Sequence, residues 1–192
     1  MNLKLPSLLL ASLLLTACGT TMVNPVTGQT ERTVMDESAE VAEGAKAHQS
    51  VLQDYGVYNN KAVQAYVNDL GQRLAAQSHR KQLAWHFTVL DSPEINAFAL
   101  PGGYVYVTRG IMAYMESEAD LAGVMGHEIG HVTARHGAQR ATSEQNAGLG
   151  VFAASILGAV AEAYGVVGAG QLASQASQAV AAGYIASYSR DQ

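Results

Sequence analysis

One cysteine in 192 residues leaves no material for an internal disulfide framework. Basic residues are also scarce: 11 Lys and Arg face 16 Asp and Glu, and the formal net charge is -5. No basic run or patch offers a footprint for phosphates, which argues against a nucleic-acid partner. Charged residues of both signs make up only 14% of the chain, whereas apolar residues make up 48%. The apolar excess gathers in two places, the first 17 residues and a Gly/Ala-rich stretch after residue 147. The length suits one domain with enough chain to bury a core.

The N-terminus reads as an address. Met1 to Leu15 carries one charge, Lys4, and an apolar run from Leu8 to Leu15 that is too short to span a bilayer comfortably. Residues 1–17 therefore read as a secretory signal peptide. The run ends in Leu15-Thr16-Ala17-Cys18, which resembles the bacterial lipobox, and this is where the only cysteine falls. In that pattern the thiol of Cys18 becomes the lipidation site, and acyl chains anchor the protein to a membrane without a spanning helix. Gly19 follows the cysteine, which by resemblance to enterobacterial lipoproteins favours the outer membrane, with the protein facing the periplasm. Residues 18–35 are polar and turn-rich (Thr20, Thr21, Asn24-Pro25, Thr27-Gly28-Gln29-Thr30) and read as a lipid-anchored tether.

Residues 36–192 read as one folded domain. Asp36 to Tyr55 has helical spacing, with Val41, Ala45, Val51 and Leu52 on an apolar stripe. Lys61 to Ala76 repeats the pattern through Val63, Tyr66, Val67, Leu70 and Leu74. Trp85 to Leu90 reads as a strand closed by the turn Asp91-Ser92-Pro93-Glu94, and Asn96–Leu100, Pro101-Gly102-Gly103, Tyr104–Thr108 as strand, tight turn and strand. The order helix, helix, β, helix predicts an α+β domain. The next helix is well signalled. Ser117 is a candidate N-cap with Asp120 three residues on, a variant of the capping box, and Leu121, Val124, Met125, Ile129 and Val132 form a buried stripe. Arg135 and His136 suit the C-terminal end of its dipole, and Gly137 suits the C-terminal cap.

On that helix, His127 and His131 lie four residues apart and share one face. Two imidazoles so placed can bind one zinc ion. Glu128 is offset by about 100° around the helix, toward the side where a bound water would lie. Zinc lowers the pKa of such a water, and the carboxylate takes its proton as the oxygen attacks a peptide carbonyl. The alternative is a surface helix that carries two histidines and a glutamate by chance. Against it, the motif interrupts an apolar run from Leu121 to Val132, where uncompensated polar groups are costly.

Two stretches, Asn96 to Gly110 (through Pro101-Gly102-Gly103-Tyr104-Val105-Tyr106) and Glu118 to His136 (through His127-Glu128-Ile129-Gly130-His131), resemble metallopeptidase family forty-eight. The similarity runs from about residue 36 to the end and takes in the Asn24-Pro25-Val26-Thr27-Gly28 segment. The resemblance implies a mostly helical zincin-like metalloprotease domain with a small β-sheet beside the histidine helix. It also implies one Zn2+ per chain, held by His127 and His131, with Glu128 as general base. Envelope polypeptides, misfolded or misassembled, would be the substrates. The family's third zinc ligand is a glutamate in a downstream S-R-x-x-E-x-x-A-D-like stretch. Here Tyr188-Ser189-Arg190-Asp191-Gln192 closes the sequence, so by that pattern the glutamate would be the next residue and the chain stops short of it. A competing expectation is therefore a catalytically inactive lipoprotein with a chaperone-like, protein-binding role.

Other residues are candidates for the missing ligand. His136 falls nine residues after His127, where the metzincin pattern needs ten, and it reads better as a helix-terminal histidine. Glu144 follows the helix too soon, and Glu162 is an isolated acid in a small-residue stretch. His48, His79 and His86 lie far away in sequence and read as surface or boundary residues. Gly103, Tyr104, Val105 and Tyr106 have two readings, an edge strand on which an extended substrate pairs or a plain core strand. The Gly/Ala-rich stretch from Ala147 to Ala186 reads as close-packed helices near the active site, rather than a membrane hairpin, because Glu162, Gln171, Gln175 and Gln178 interrupt it.

Overall fold

The structure, a computed structural model, describes residues 19–179 apart from positions 166, 169, 174 and 177. The signal segment, Cys18 and the closing Tyr188–Gln192 lie outside the described residues. The domain is α+β, as its pattern of elements predicts. A hairpin of β1 (Thr20–Val23) and β2 (Thr30–Thr33) comes first, then helices α1 (Glu37–Tyr55) and α2 (Lys61–Ala75). Strands β3 (His86–Leu90), β4 (Ala97–Leu100) and β5 (Tyr104–Thr108) follow, then the short α3 (Arg109–Met112), α4 (Glu118–Thr133) and the long α5 (His136–Ala163).

Capping sets the helix starts. Asp36 accepts from Ala39 N, and Asn60 accepts from Ala62 N and Val63 N. Both supply the side-chain oxygen that a first turn needs for its unpaired amides. The turn Pro101-Gly102-Gly103 requires its glycines. Both have positive φ (80° and 102°), and a Cβ on Gly102 would lie 2.7 Å from Val41 Cα.

The three-stranded sheet has the order β3-β5-β4, with β3 parallel and β4 antiparallel to β5. Its two faces differ. Phe87, Val89, Val105 and Val107 point to the main core, where they meet Val67 and Leu70 of α2 and Leu121, Met125, Ile129 and Val132 of α4. Gly71 of α2 lets that helix settle on the Phe87 ring, since a Cβ there would lie 2.4 Å from it. The opposite face carries His86, Phe98, Tyr104 and Tyr106 under α1. There His48 Nδ1 is 2.6 Å from Tyr106 Oη, and the Tyr104 ring stacks on His86 (4.6 Å) and lies tilted 4.9 Å from His48. His48, half-buried, and His86, exposed, are thus boundary residues of this aromatic layer.

The expectation for the N-terminal end of the domain is corrected. Residues 19–35 are a docked hairpin and not a loose tether. The buried Asn24 accepts from Val26 N and Thr27 N to make the turn, and its amide donates to Glu31 Oε1 and to Ala134 O at the end of α4. The turn residues that suggest a linker serve here as a hairpin corner. The small residues of the Gly/Ala-rich stretch differ within the described part: Gly158 is buried, and a Cβ on Gly170 would lie 3.2 Å from the Glu162 carboxylate. A Cβ on Gly148 or Gly150 would meet nothing within 4 Å, and Leu149, Phe152, Ile156 and Leu157 of α5 are exposed. Among the described residues no helix is long and apolar enough to cross a membrane.

Candidate metal and catalytic site

Helix α4 begins with a complete capping box: Ser117 Oγ accepts from Asp120 N, and the Asp120 carboxylate accepts from Ser117 N. It needs that help. Gly123, Gly126 and Gly130 lie within it, and each glycine costs a helix interior about 1 kcal/mol relative to Ala. Burial of Leu121, Met125, Ile129 and Val132 against the sheet and α2 holds the helix in place. The apolar stripe also fixes its rotation, and so decides where the polar side chains point.

His127 and His131 emerge together on a flank of α4, His127 exposed and His131 half-buried. Their Nε2 atoms converge to 3.0 Å, with the rings perpendicular at 88°. Two nitrogens ~2.0–2.1 Å from one tetrahedral zinc lie about 3.3 Å apart, so a slight opening of this pair fits the ion. Glu128 is turned about 100° from His127 and about 60° from His131, toward the apolar stripe. It is half-buried, and burial pushes its carboxyl above the usual value, against the opposing pull of His131 and His127. A carboxylate displaced toward the neutral form beside a histidine pair suits proton transfer.

No group of three His, Cys, Asp or Glu side chains that could hold a metal occurs among the described residues. His136 stands against His131, but on the wrong side to share an ion with His127. Its Nδ1 is 2.6 Å from His131 Nδ1, the ring atom that faces away from His127. Nor is it a C-terminal residue of the histidine helix. Helix α4 ends at Thr133, Arg135 takes a left-handed conformation (φ 62°), and His136 opens α5. The cap expected at Gly137 therefore falls two residues early, on a residue with a Cβ. Burial holds the His136 imidazole below its ordinary pKa. Glu144 pairs with Arg140 along α5. Glu162 sits 26 residues beyond His136, roughly 39 Å along the helix, where it accepts from Gly170 N.

Gly103, Tyr104, Val105 and Tyr106 belong to the turn and to the central strand β5, whose two edges are occupied by β3 and β4. A substrate backbone has no free edge to pair with there, and the reading of this segment as an edge strand is corrected. The pattern Tyr104-Val105-Tyr106-Val107 carries the signal, since a strand with large side chains on both faces is covered on both. The outer edge of β3 is also closed: Tyr58 N donates to Val89 O, and the Gln64 side chain brackets Val89 through both of its amide groups. The edge left without a backbone partner among the described residues is that of β4, beside α4.

An α+β domain with a histidine pair and a half-buried glutamate on one capped helix has the makings of a metallopeptidase. The profile of Peptidase family M48 matches residues 61–192, and the chain belongs to that family. It is 39% identical over 87 residues to the beta-barrel assembly-enhancing protease of Escherichia coli, a match that covers 45% of this chain and 18% of that protein. A putative beta-barrel assembly-enhancing protease of Vibrio cholerae is 39% identical over 109 residues, 55% of this chain and 22% of that one. The mitochondrial metalloendopeptidase OMA1 of Arabidopsis thaliana is 43% identical over 68 residues, 35% of this chain and 14% of that protein. The matches thus span less than a quarter of the length of these relatives.

Proposed function

We propose that this protein is a zinc-dependent metalloendopeptidase that hydrolyses polypeptides of the bacterial cell envelope. The observation that carries the reading is the convergence of His127 Nε2 and His131 Nε2 to 3.0 Å on a helix that also presents a half-buried Glu128. His127 and His131 would hold the zinc. When bound there, the ion supplies a Lewis acid that polarises a peptide carbonyl and acidifies water. Glu128 acts as general base toward the attacking water and returns the proton to the leaving amine. Its partial burial favours that return, because the protonated carboxyl is the form that a water-poor setting stabilises. An extended substrate would add to the free edge of β4, which runs beside the histidine helix and would bring a peptide bond toward the pair.

Location is part of the proposal. Cys18 would carry the lipid that holds the protein on the outer membrane, facing the periplasm, as the lipobox-like Leu15-Thr16-Ala17-Cys18 suggests. The names of the bacterial relatives point to the assembly of β-barrel proteins, which supports misassembled envelope proteins as the substrate class. Zinc content and hydrolysis of an unfolded protein, measured together on wild type and Glu128→Gln, test the reading. Equal zinc content in both proteins with hydrolysis only in wild type is expected. A wild-type protein that holds no zinc and cleaves nothing, yet captures unfolded polypeptides, would establish the binding role instead.

A further inference from the structure

We propose that His136 is a positioning residue for His131, fixing its tautomer and ring plane so that Nε2 is the atom offered to the metal. The inference rests on the zinc reading above and extends it to a residue that does not touch the ion. The geometry has two sides. One ring nitrogen of His131 faces His127 at 3.0 Å, and the other faces His136 Nδ1 at 2.6 Å. An imidazole that offers Nε2 to a metal carries its proton on Nδ1, and that N–H needs an acceptor behind it. Metal-binding histidines usually find a carboxylate, a carbonyl or water for this purpose. Here the group within reach is His136 Nδ1, which accepts when its own proton lies on Nε2.

The chain is built to bring His136 to that point. Were α4 to run on, residue 136 would lie five residues, or about 140°, round the helix from His131 and would not face it. Arg135 breaks the helix in the left-handed region, and three bonds hold it there. Its Nε donates to Glu40 Oε1 (2.8 Å), its guanidinium donates to Met35 O (2.7 Å), and it reaches Met22 Sδ (2.8 Å). Ala134 O, one residue earlier, accepts from Asn24 Nδ2. After this turn the His136 ring stands 4.8 Å from that of His131 at 65°, an edge approach suited to an N–H···N bond.

Zinc affinity, measured by chelator competition on the whole chain, tests the assignment in His136→Asn, His136→Phe and His136→Ala. Asparagine places an acceptor oxygen close to the former Nδ1, whereas phenylalanine keeps the ring and removes the acceptor. Loss of an outer partner of a metal-binding histidine costs about 10–100-fold in affinity, so Phe and Ala should bind zinc that much more weakly, with Asn within about threefold of wild type. Wild-type affinity in the Phe variant, or an Asn variant as weak as Phe, would overturn the proposal while leaving the zinc reading intact. Nitrogen-15 NMR of histidine-labelled, zinc-loaded wild type reads the same question without a substitution. A hydrogen-bonded proton on His131 Nδ1 is expected, and a proton on Nε2 overturns the assignment. Failure of wild type to bind zinc at all would remove the parent reading and this one together.

Discussion

Arg135 Nε donates to Glu40 Oε1 at 2.8 Å across 95 residues of sequence. The other carboxylate oxygen of Glu40 accepts from Arg80 at 2.7 Å, and Arg80 donates also to Val132 O in the last turn of α4. Glu40, 1% exposed, therefore joins α1, the loop after α2 and the turn behind the histidine helix.

Removal of Glu40 should leave the buried Arg135 guanidinium without a carboxylate and Arg80 with only the half-exposed Glu37, 3.2 Å away. Stripping one partner from a buried ion network typically costs about 3–5 kcal/mol. Glu40→Ala is expected to lower the urea unfolding free energy by that amount. A loss of less than about 1 kcal/mol would show that the cluster behaves like a solvated surface pair.

Glu128→Gln should abolish proton transfer without removing a metal ligand. General base catalysis contributes on the order of 10²–10⁴-fold, so hydrolysis of unfolded protein should fall by at least that range while zinc content stays at the wild-type value. Activity within a few-fold of wild type would exclude Glu128 as the base.

His48 ties stability to pH. Burial, assisted by the nearby His86, holds its pKa below the ordinary 6.5. Tyr104 and Tyr106 are the groups of β5 that face it, and neutral His48 can accept the Tyr106 hydroxyl proton at Nδ1. Because the folded-state pKa is depressed, the unfolded chain takes up this proton first. The contribution to stability is complete above pH 6.5 and is lost as pH falls from there toward the folded-state value. Unfolding midpoints followed over roughly pH 5 to 7 should fall more steeply for wild type than for His48→Asn. Equal slopes would rule His48 out.

Gly71→Ala tests the seating of α2 on the sheet. The new Cβ would lie 2.4 Å from the Phe87 ring, in a buried position with no room to yield. Overpacking of this kind costs about 1–3 kcal/mol, which thermal or urea unfolding would register. An unchanged midpoint would mean that Phe87 moves freely.

The elements legible in the sequence are those whose signals are local. Ser117 and Asp120 announce α4 by their spacing, and the full capping box follows. The four-residue interval of His127 and His131 likewise predicts a shared face, and the two Nε2 atoms do meet. What escaped depends on distant partners. Thr20–Thr33 has the composition of a linker, and contacts with residues more than 100 positions away, Asn24 with Ala134, Met22 with Arg135 and Glu31 with Gln139, make it a docked hairpin. Arginine is an unusual choice for a left-handed turn, and its place there depends on Glu40 and Met35. The order β3-β5-β4 is equally nonlocal, which is why Tyr104–Thr108 could pass for an edge when it lies in the middle.

Among the described residues the sheet is open in one direction only. Gln64 and Tyr58 seal it along β3, and β4 stays open next to the histidine helix. An open edge is indiscriminate, because it presents the same backbone groups to any extended chain, including another copy of this protein. At four residues β4 is short, which leaves room for a passing segment to register but little length for copies to zip together. The shortness of that strand thus serves as a guard against self-association at the place where the fold is most receptive.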